Sequence, residues 1–365
     1  MLPLKSKVFL FPYWAALKLR HFLYDKQIKK STEYPVPVIC VGNVTVGGTG
    51  KTPFTEMIIR RIEAYYPNQY NVMVLSRGYR RKTKGYRVVN AHEDYRNVGD
   101  EPLQIKNKYP GVTVAVCEDR RVGIERLIAD FVGKQNNKKP LIILDDAFQH
   151  RRVKPKSSVL LMSYNNPIYS DNLLPIGRLR DLPEEMKRAQ NIVVTNAPFY
   201  YSNEEYTDET ASEEFLENET EGWKRSLQLA SGQELFFAAT VYNDALPVFP
   251  EEADNRYLYS KSAVFFSGIA NDSHFREHIG QSFKVFDSLV FPDHCSFGRG
   301  DVASINRLSA KYPLSVVFTT EKDSVRLANN RYLSAELKKR LFYIPIETRI
   351  LLLERERAFI SRIVE

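Results

Sequence analysis

The segment Thr45-Val46-Gly47-Gly48-Thr49-Gly50-Lys51-Thr52 restricts the fold of this chain more than any other stretch. It follows a β-rich run, Val36–Val41, and precedes a helical stretch, Pro53–Tyr66. Consecutive glycines let backbone N–H groups curl around phosphate oxygens, and the helix start adds the positive end of its dipole. Lys51 is placed to reach the outer phosphates of a nucleotide, and the Thr52 hydroxyl to ligate a magnesium ion. Pro53 suits the first helical turn, where no N–H is needed. The general pattern has glycine where this chain has Thr45. A glycine-rich turn that binds nothing is the alternative, and Gly-Lys-Thr between strand and helix weighs against it.

The rest of the chain agrees with an α/β fold. Short Val/Ile/Leu runs recur at Val72–Leu75, Val112–Val116, Leu141–Leu144, Val159–Met162 and Ile192–Thr195. Such near-continuous apolar runs fit strands buried on both faces of a parallel sheet. Helical stretches such as Arg121–Val132 lie between them, which predicts a doubly wound parallel sheet of the P-loop NTPase type over residues 31–200. Residues 201–234 turn acidic and polar and read as a linker or insertion. A second alternating set follows, with strands at Leu235–Val241, Ala263–Ile269, Phe283–Leu289, Ser315–Thr319 and Leu341–Ile346, and a closing helix from about Leu352. This predicts a smaller α/β domain over 235–365, the last helix being free to pack back on the first. Cys40, Cys117 and Cys295 are scattered, as in a reducing compartment, and have neither disulfide-framework nor zinc spacing.

Charge is concentrated at the start. The formal net charge is +8, and residues 1–30 carry Lys5, Lys7, Lys18, Arg20, Lys26, Lys29 and Lys30 against Asp25 alone. The folded body is therefore close to neutral, which argues against a nucleic-acid-binding role. The same segment holds Val8–Leu17, apolar throughout, then Leu19, Phe22, Leu23 and Tyr24. That run is too short to span a bilayer and Pro12 interrupts it. A cleaved signal peptide would export a nucleotide-using domain away from its nucleotide. An amphipathic helix lying in an anionic membrane surface fits Trp, Phe and Lys together. Packing on the body with solvated lysines is the alternative.

Further clusters bear on chemistry. Leu141–Leu144 ends in Asp145-Asp146-Ala147-Phe148-Gln149-His150, the arrangement that delivers an Asp from a strand end to a magnesium shell. Gln149 and His150 are either polar partners in the cleft or surface residues. Asp100 and Glu101 stand at an expected helix start, where Asp100 either caps the helix or serves as the base for a hydroxyl acceptor. Ser76-Arg77-Gly78-Tyr79-Arg80-Arg81-Lys82 is a basic loop able to grip an anionic substrate, or a solvated turn. Phe291-Pro292-Asp293-His294 follows a strand in the second half, where a lone His is more often structural.

Taken together, the motifs closely resemble the tetraacyldisaccharide 4′-kinase family of lipid A synthesis. The resemblance is carried by Gly42–Pro53, Ser76–Tyr79, Gly99–Pro102, Asp145–His150, Leu174–Arg180, Phe291–His294 and Thr320-Glu321-Lys322-Asp323, in the family's order. Thr45 is usual there, whereas Ala147 and Asp181 stand where the family usually has Gly and Glu. The resemblance implies ATP- and Mg²⁺-dependent phosphorylation of the 4′-hydroxyl of a tetraacylated glucosamine disaccharide 1-phosphate, giving lipid IVA. It implies two α/β/α domains around a cleft and an N-terminal helix on the inner face of the cytoplasmic membrane. By motif, Asp100 is the base and His294 its partner. Asp145 and Asp146 serve the metal and phosphate region, Glu101 is a further metal candidate, and Arg77, Arg80, Arg180 and Asp181 are cleft candidates. A P-loop GTPase or ATPase switch is the competing reading, and no protein partner is expected.

Overall fold

The computed structural model describes residues 4–132, 137–197, 213–269 and 271–365. In chain order the first half contains α1 (Leu4–Asp25), β1 (Val38–Gly42), α2 (Lys51–Tyr65), β2 (Tyr70–Ser76), β3 (Arg87–Val88), α3 (Tyr95–Val98) and α4 (Asp100–Lys108). It continues through β4 (Thr113–Val116), α5 (Arg120–Val132), β5 (Lys139–Asp145), β6 (Ser157–Ser163), β7 (Asn191–Thr195) and α6 (Glu213–Leu227). The second half holds β8 (Glu234–Tyr242), β9 (Leu246–Pro247), β10 (Ser262–Ser267), α7 (Ser273–Ser282), β11 (Lys284–Val290) and α8 (Arg299–Lys311). The chain closes with β12 (Val316–Thr320), α9 (Glu321–Leu327), α10 (Ala335–Arg340), β13 (Leu341–Ile344), β14 (Ile346–Ile350) and α11 (Leu353–Val364).

These strands form two sheets. The larger has the order β14-β8-β7-β6-β1-β5-β2-β4-β3, parallel apart from its two edges, and the smaller has the order β11-β10-β12-β13-β9. Both faces of each sheet are covered, which is why the strands read as continuous apolar runs. In the larger sheet β1 lies between β5 and β6: the chain runs from β1 to β2 on one side, and later from β5 across to β6 on the other. Ligands of open α/β sheets bind outside the strand ends at such a reversal. The register sets Val41 of β1 against Asp145 of β5, so the phosphate-type loop and the paired carboxylates emerge side by side.

Three expectations change. The boundary at 235 does not separate the sheets, because β8 pairs with β7 and β14 pairs with β8; α11 packs Phe359, Ile360 and Ile363 into the first core, as the sequence reading allowed. Leu341–Ile346 is not one strand: β13 belongs to the small sheet and β14 to the large one, with Pro345, which has no N–H to donate, at the crossing. The two connections between sheets run together, Asn243 donating its N–H to the Pro345 carbonyl at 2.9 Å. Of the acidic 201–234 segment, residues 201–212 lie outside the described residues. The remainder includes α6, which buries Leu216, Trp223 and Leu227 against the large sheet. An amphipathic helix was thus hidden in acidic composition.

Helix α1 runs through Pro12 without ending there. It turns Leu10, Leu17 and His21 inward and leaves Phe11, Trp14, Leu19 and Phe22 exposed. Among the described residues no helix is long and apolar enough to cross a membrane. The three cysteines are free.

Candidate active site

The loop after β1 takes its shape from glycine. Gly47, Gly48 and Gly50 have φ of 80°, 29° and 68°, and Gly50 is the N-cap of α2. Left-handed backbone there is inexpensive only without a Cβ. The loop is held from below by Asn43, whose Nδ2 reaches Thr49 Oγ1 at 2.7 Å, and from the side by Thr195, whose hydroxyl donates to the Thr49 carbonyl at 3.1 Å. Thr45, Thr49 and Thr52 are buried, while Val46 is exposed and its N–H donates to the Arg178 carbonyl. Hydrogen bonds from neighbouring elements thus hold the loop in the shape of a phosphate cradle.

Asp145 ends β5 beneath this cradle, almost fully buried. Thr55 Oγ1 stands 3.4 Å from its Oδ1, and its Oδ2 is buried without a partner. Burial, then the charges of Glu101 and Asp146, push the carboxyl up to about 7, against the pull of Lys51 and Arg120. A buried carboxylate with an orphan oxygen, facing another carboxylate and next to a phosphate loop, fits a cation. No cluster of three or more His, Cys, Asp or Glu side chains suited to a metal occurs among the described residues. None is required, because magnesium in such sites takes one or two protein ligands and completes its shell with phosphate and water. Thr52, Asp145 and Glu101 are the donors this arrangement offers.

Asp146 follows in a left-handed conformation, φ 48°. Burial works to raise its carboxyl, but Lys51, the Arg180 hydrogen bond and the charges of Arg180 and Arg120 bring it below the usual range. Arg180 grips Asp146 and also reaches Asn43 Oδ1 at 2.5 Å, tying the two halves of the nucleotide site together. Gln149 donates to the Asn43 carbonyl at 2.6 Å and so supports the loop from behind. His150 faces Asp119 instead of the loop; burial, then the Arg120 charge, hold it down to about 4, a neutral imidazole. Asp181 is not in the cleft. The chain bends at Arg180 and Asp181, and Arg180 pairs with Asp146 while Asp181 is buried under α1, 2.6 Å from His21 Nε2.

The other half of the site is built where the sheets meet. Gly78 and Gly99, both at positive φ, let the basic loop and the start of α4 touch, and a Cβ on Gly99 would lie 3.1 Å from the Gly78 Cα. This sets Asp100 at the first turn of α4, its Oδ1 accepting from the Glu101 N–H at 2.9 Å. His294, at φ 59°, comes from the loop after β11 and places Nδ1 3.0 Å from Asp100 Oδ2. Asp146, His294 and Arg80 (φ 59°) are three of the ten non-glycine residues at positive φ among the described residues. Arg80 donates to the His294 carbonyl at 3.3 Å, and the Tyr79 ring meets the imidazole edge-on at 5.2 Å. Arg77 is exposed.

Two cations complete the cluster. Lys322 lies 3.1 Å from Glu101, and Arg326 binds Asp100 Oδ2 through Nε at 2.9 Å and Nη2 at 2.5 Å. Burial alone would raise the Asp100 carboxyl, yet the His294 hydrogen bond and the Lys322 and Arg326 charges carry it far below the usual carboxylate range. Arg326 was not foreseen. Its only signal in the sequence is the i, i+4 spacing from Lys322, which puts both on one helix face. Arg120, buried behind Asp145 and Asp146 and donating to the Asp146 carbonyl at 3.3 Å, was also missed.

A phosphate cradle beside a carboxylate of the large sheet's side, met by an imidazole from the small sheet's side, fits a P-loop phosphotransferase acting on a hydroxyl acceptor. Comparison with known proteins narrows the class. The family model described as tetraacyldisaccharide-1-P 4′-kinase matches residues 7–365. Tetraacyldisaccharide 4′-kinase of Parabacteroides distasonis is 37% identical, over 98% of this chain and 92% of that protein. The Porphyromonas gingivalis protein of the same name is 35% identical, over 96% and 94%. The solved structure of LpxK from Aquifex aeolicus, described as an "apo" form in complex with ATP, superposes with a TM-score of 0.69 at 26% identity and 99% coverage of both chains. The chain belongs to the tetraacyldisaccharide-1-phosphate 4′-kinase family. It is an ATP-dependent kinase of lipid A synthesis that phosphorylates the 4′ position of a disaccharide 1-phosphate, which removes the switch-protein reading.

Proposed function

We propose that Asp100 and His294 act as one unit that takes the proton of the 4′-hydroxyl while the phosphate loop delivers the γ-phosphoryl group. The observation that carries this is the 3.0 Å contact between His294 Nδ1 and Asp100 Oδ2, joining elements 194 residues apart. A sugar hydroxyl holds its proton far above neutral pH, so a positioned acceptor helps even a loose transition state. Asp100 by itself is a weak acceptor, because its partners keep it ionised. The imidazole 3.0 Å away supplies the second group of the unit. Lys51 neutralises charge on the transferred group and the Thr45–Thr52 backbone holds the phosphates. Thr52, Asp145 and Glu101 would hold Mg²⁺, whose contribution is to offset phosphate charge. Arg77, Arg80 and Lys82 suit the acceptor's own phosphate.

Helix α1 is read as the membrane-facing element, at the inner face of the cytoplasmic membrane. Its outward Phe11, Trp14, Leu19 and Phe22 accompany Lys18, whose ammonium sits 5.8 Å from the Trp14 ring centre. Aromatic rings with adjacent lysines suit an anionic lipid interface.

The test is transfer of labelled phosphate from ATP to disaccharide 1-phosphate acceptors in detergent micelles. Asp100→Asn and His294→Ala are each expected to lower kcat by about a hundredfold or more, and the double variant to be little worse than the poorer single one. Multiplicative losses would mean that the two groups act separately. Unchanged kcat in Asp100→Asn would return that residue to a helix-capping role.

A further inference from the structure

We propose that Arg326 is a positioning residue of the phosphoryl-transfer site, fixing the Asp100 carboxylate against His294, and that Asp323 in turn fixes Arg326. The proposal rests on the reading of Asp100 and His294 given above. The Arg326 side chain is almost entirely buried and uses all three nitrogens. Nε and Nη2 converge on Asp100 Oδ2, while Nη1 donates to Asp323 Oδ1 at 2.8 Å and to the Gly268 carbonyl at 3.2 Å. Asp323 is itself fully buried and pinned, its Oδ2 accepting from the Gly268 N–H at 2.8 Å and from Thr320 Oγ1 at 2.7 Å. A planar guanidinium held on one edge by such an anchor has a single orientation left for its other edge. That edge meets Asp100, 226 residues earlier in the chain and on an element of the other sheet.

This arrangement gives the Thr320-Glu321-Lys322-Asp323 motif a purpose. Thr320 caps α9 by accepting from the Asp323 N–H, so the helix start is fixed. One turn of that helix then presents Lys322 and Arg326 to two consecutive carboxylates, Lys322 to Glu101 and Arg326 to Asp100. Arg326 Nη2 also lies 3.3 Å from His294 Nδ1, so it borders both members of the pair it orients. A plain staple between the sheets would need neither the double contact to one oxygen nor the buried anchor behind it.

The test separates positioning from stapling. Arg326→Met keeps bulk and removes the fork. We expect kcat about tenfold to a hundredfold lower, with KM for ATP and acceptor within about threefold of the parent. Arg326→Lys, which keeps charge without the fork, should recover several-fold of that loss, and the His294 ring-nitrogen NMR shifts should move in Arg326→Met. In an Asp100→Asn background Arg326→Met should cost almost nothing more. Parental kcat in folded Arg326→Met, or an equal loss on top of Asp100→Asn, overturns the proposal. A staple alone would lower the melting temperature and leave kcat in place. Should Arg326→Met not fold, Asp323→Asn loosens the anchor while preserving shape; a several-fold kcat loss that vanishes in the Asp100→Asn background is expected, and no loss overturns the proposal. Normal turnover by Asp100→Asn would defeat the base reading itself. An inactive Asp100→Asn beside a normal Arg326→Met defeats the positioning role alone.

Discussion

The phosphate loop and the Asp100 cluster are both rigid, charged and adjacent to the same reaction, yet they are built in opposite ways. The loop is eight consecutive residues whose supports, Asn43, Gln149, Arg180 and Thr195, all belong to the large sheet or its loops. The Asp100 cluster takes two carboxylates, Asp100 and Glu101, from the large sheet's side and His294, Lys322 and Arg326 from the small sheet's side. On the proposed roles, nucleotide binding is a property of one sheet, whereas acceptor activation depends on how two sheets sit together. That seating rests on the paired connections at Asn243 and Pro345 and on Lys108, which bridges Glu56 of α2 to Glu321 of α9 and donates to the Ile346 carbonyl.

The largest expected effect tests the self-contained half. Lys51→Ala should lower kcat by roughly a hundred- to a thousandfold in a folded protein, because it deletes a charge that matters most as the phosphoryl group transfers. The His294–Asp100 contact, measured by the same ring-nitrogen shifts, should be untouched. Near-parental turnover would remove the loop from the chemistry, and a disturbed His294 signal would show that the two regions are not separable.

The same contrast explains what could be read from the sequence. Val72–Leu75, Val112–Val116 and Leu141–Leu144 all lie within or beside observed strands, and the loop and Asp145 were recognisable, because each depends on neighbours in the chain. Leu235–Val241 was recognisable as a strand but not as a member of the large sheet, since pairing partners are not encoded locally. Arg326 is unremarkable in sequence because its meaning comes from Asp100, Asp323 and His294 arriving together. Asp181 misled for the converse reason: it adjoins a cleft residue in sequence and faces away from the cleft in space.

A third region, α1, sharpens the comparison, because its two faces engage different environments. Deleting it would confound them, since Tyr13 donates to the Arg180 carbonyl and Arg20 to that of Gln149, both beside the nucleotide loop. A triple substitution of the outward residues, Phe11→Ser, Trp14→Ser and Phe22→Ser, leaves those contacts in place. Affinity for anionic liposomes should drop at least about tenfold, with KM for ATP within about twofold. Undiminished pelleting would exclude this face as the membrane contact.

The smallest expected effect lies on the inner face of α1. His21 is buried against Asp181 and Glu185, at 2.6 and 3.0 Å, with Arg151 2.9 Å from its Nδ1. Burial acts to lower its pKa, but the hydrogen bonds and charges of the two carboxylates outweigh burial and raise it. A His with a raised folded pKa contributes stability that is fully present below about 6.5, its ordinary value, and is lost as pH rises through the folded value. Asp181 and Glu185 are depressed, so their contribution is present above about 4 and is lost as pH falls through their folded values. Docking of α1 should therefore be firmest between those limits. Hydrogen-exchange protection of α1, corrected for intrinsic rates, should fall by no more than about tenfold from pH 6 to 8.5. In His21→Gln, which keeps polar reach without a titrating charge, the dependence should flatten. The same slope in that variant would assign the loosening to another group. Because Asp181 adjoins Arg180, and Arg180 holds Asp146 and Asn43, a real His21 effect should also appear as a small rise in KM for ATP over that pH range. The Asp100 cluster, which shares none of these contacts, should not respond to His21→Gln.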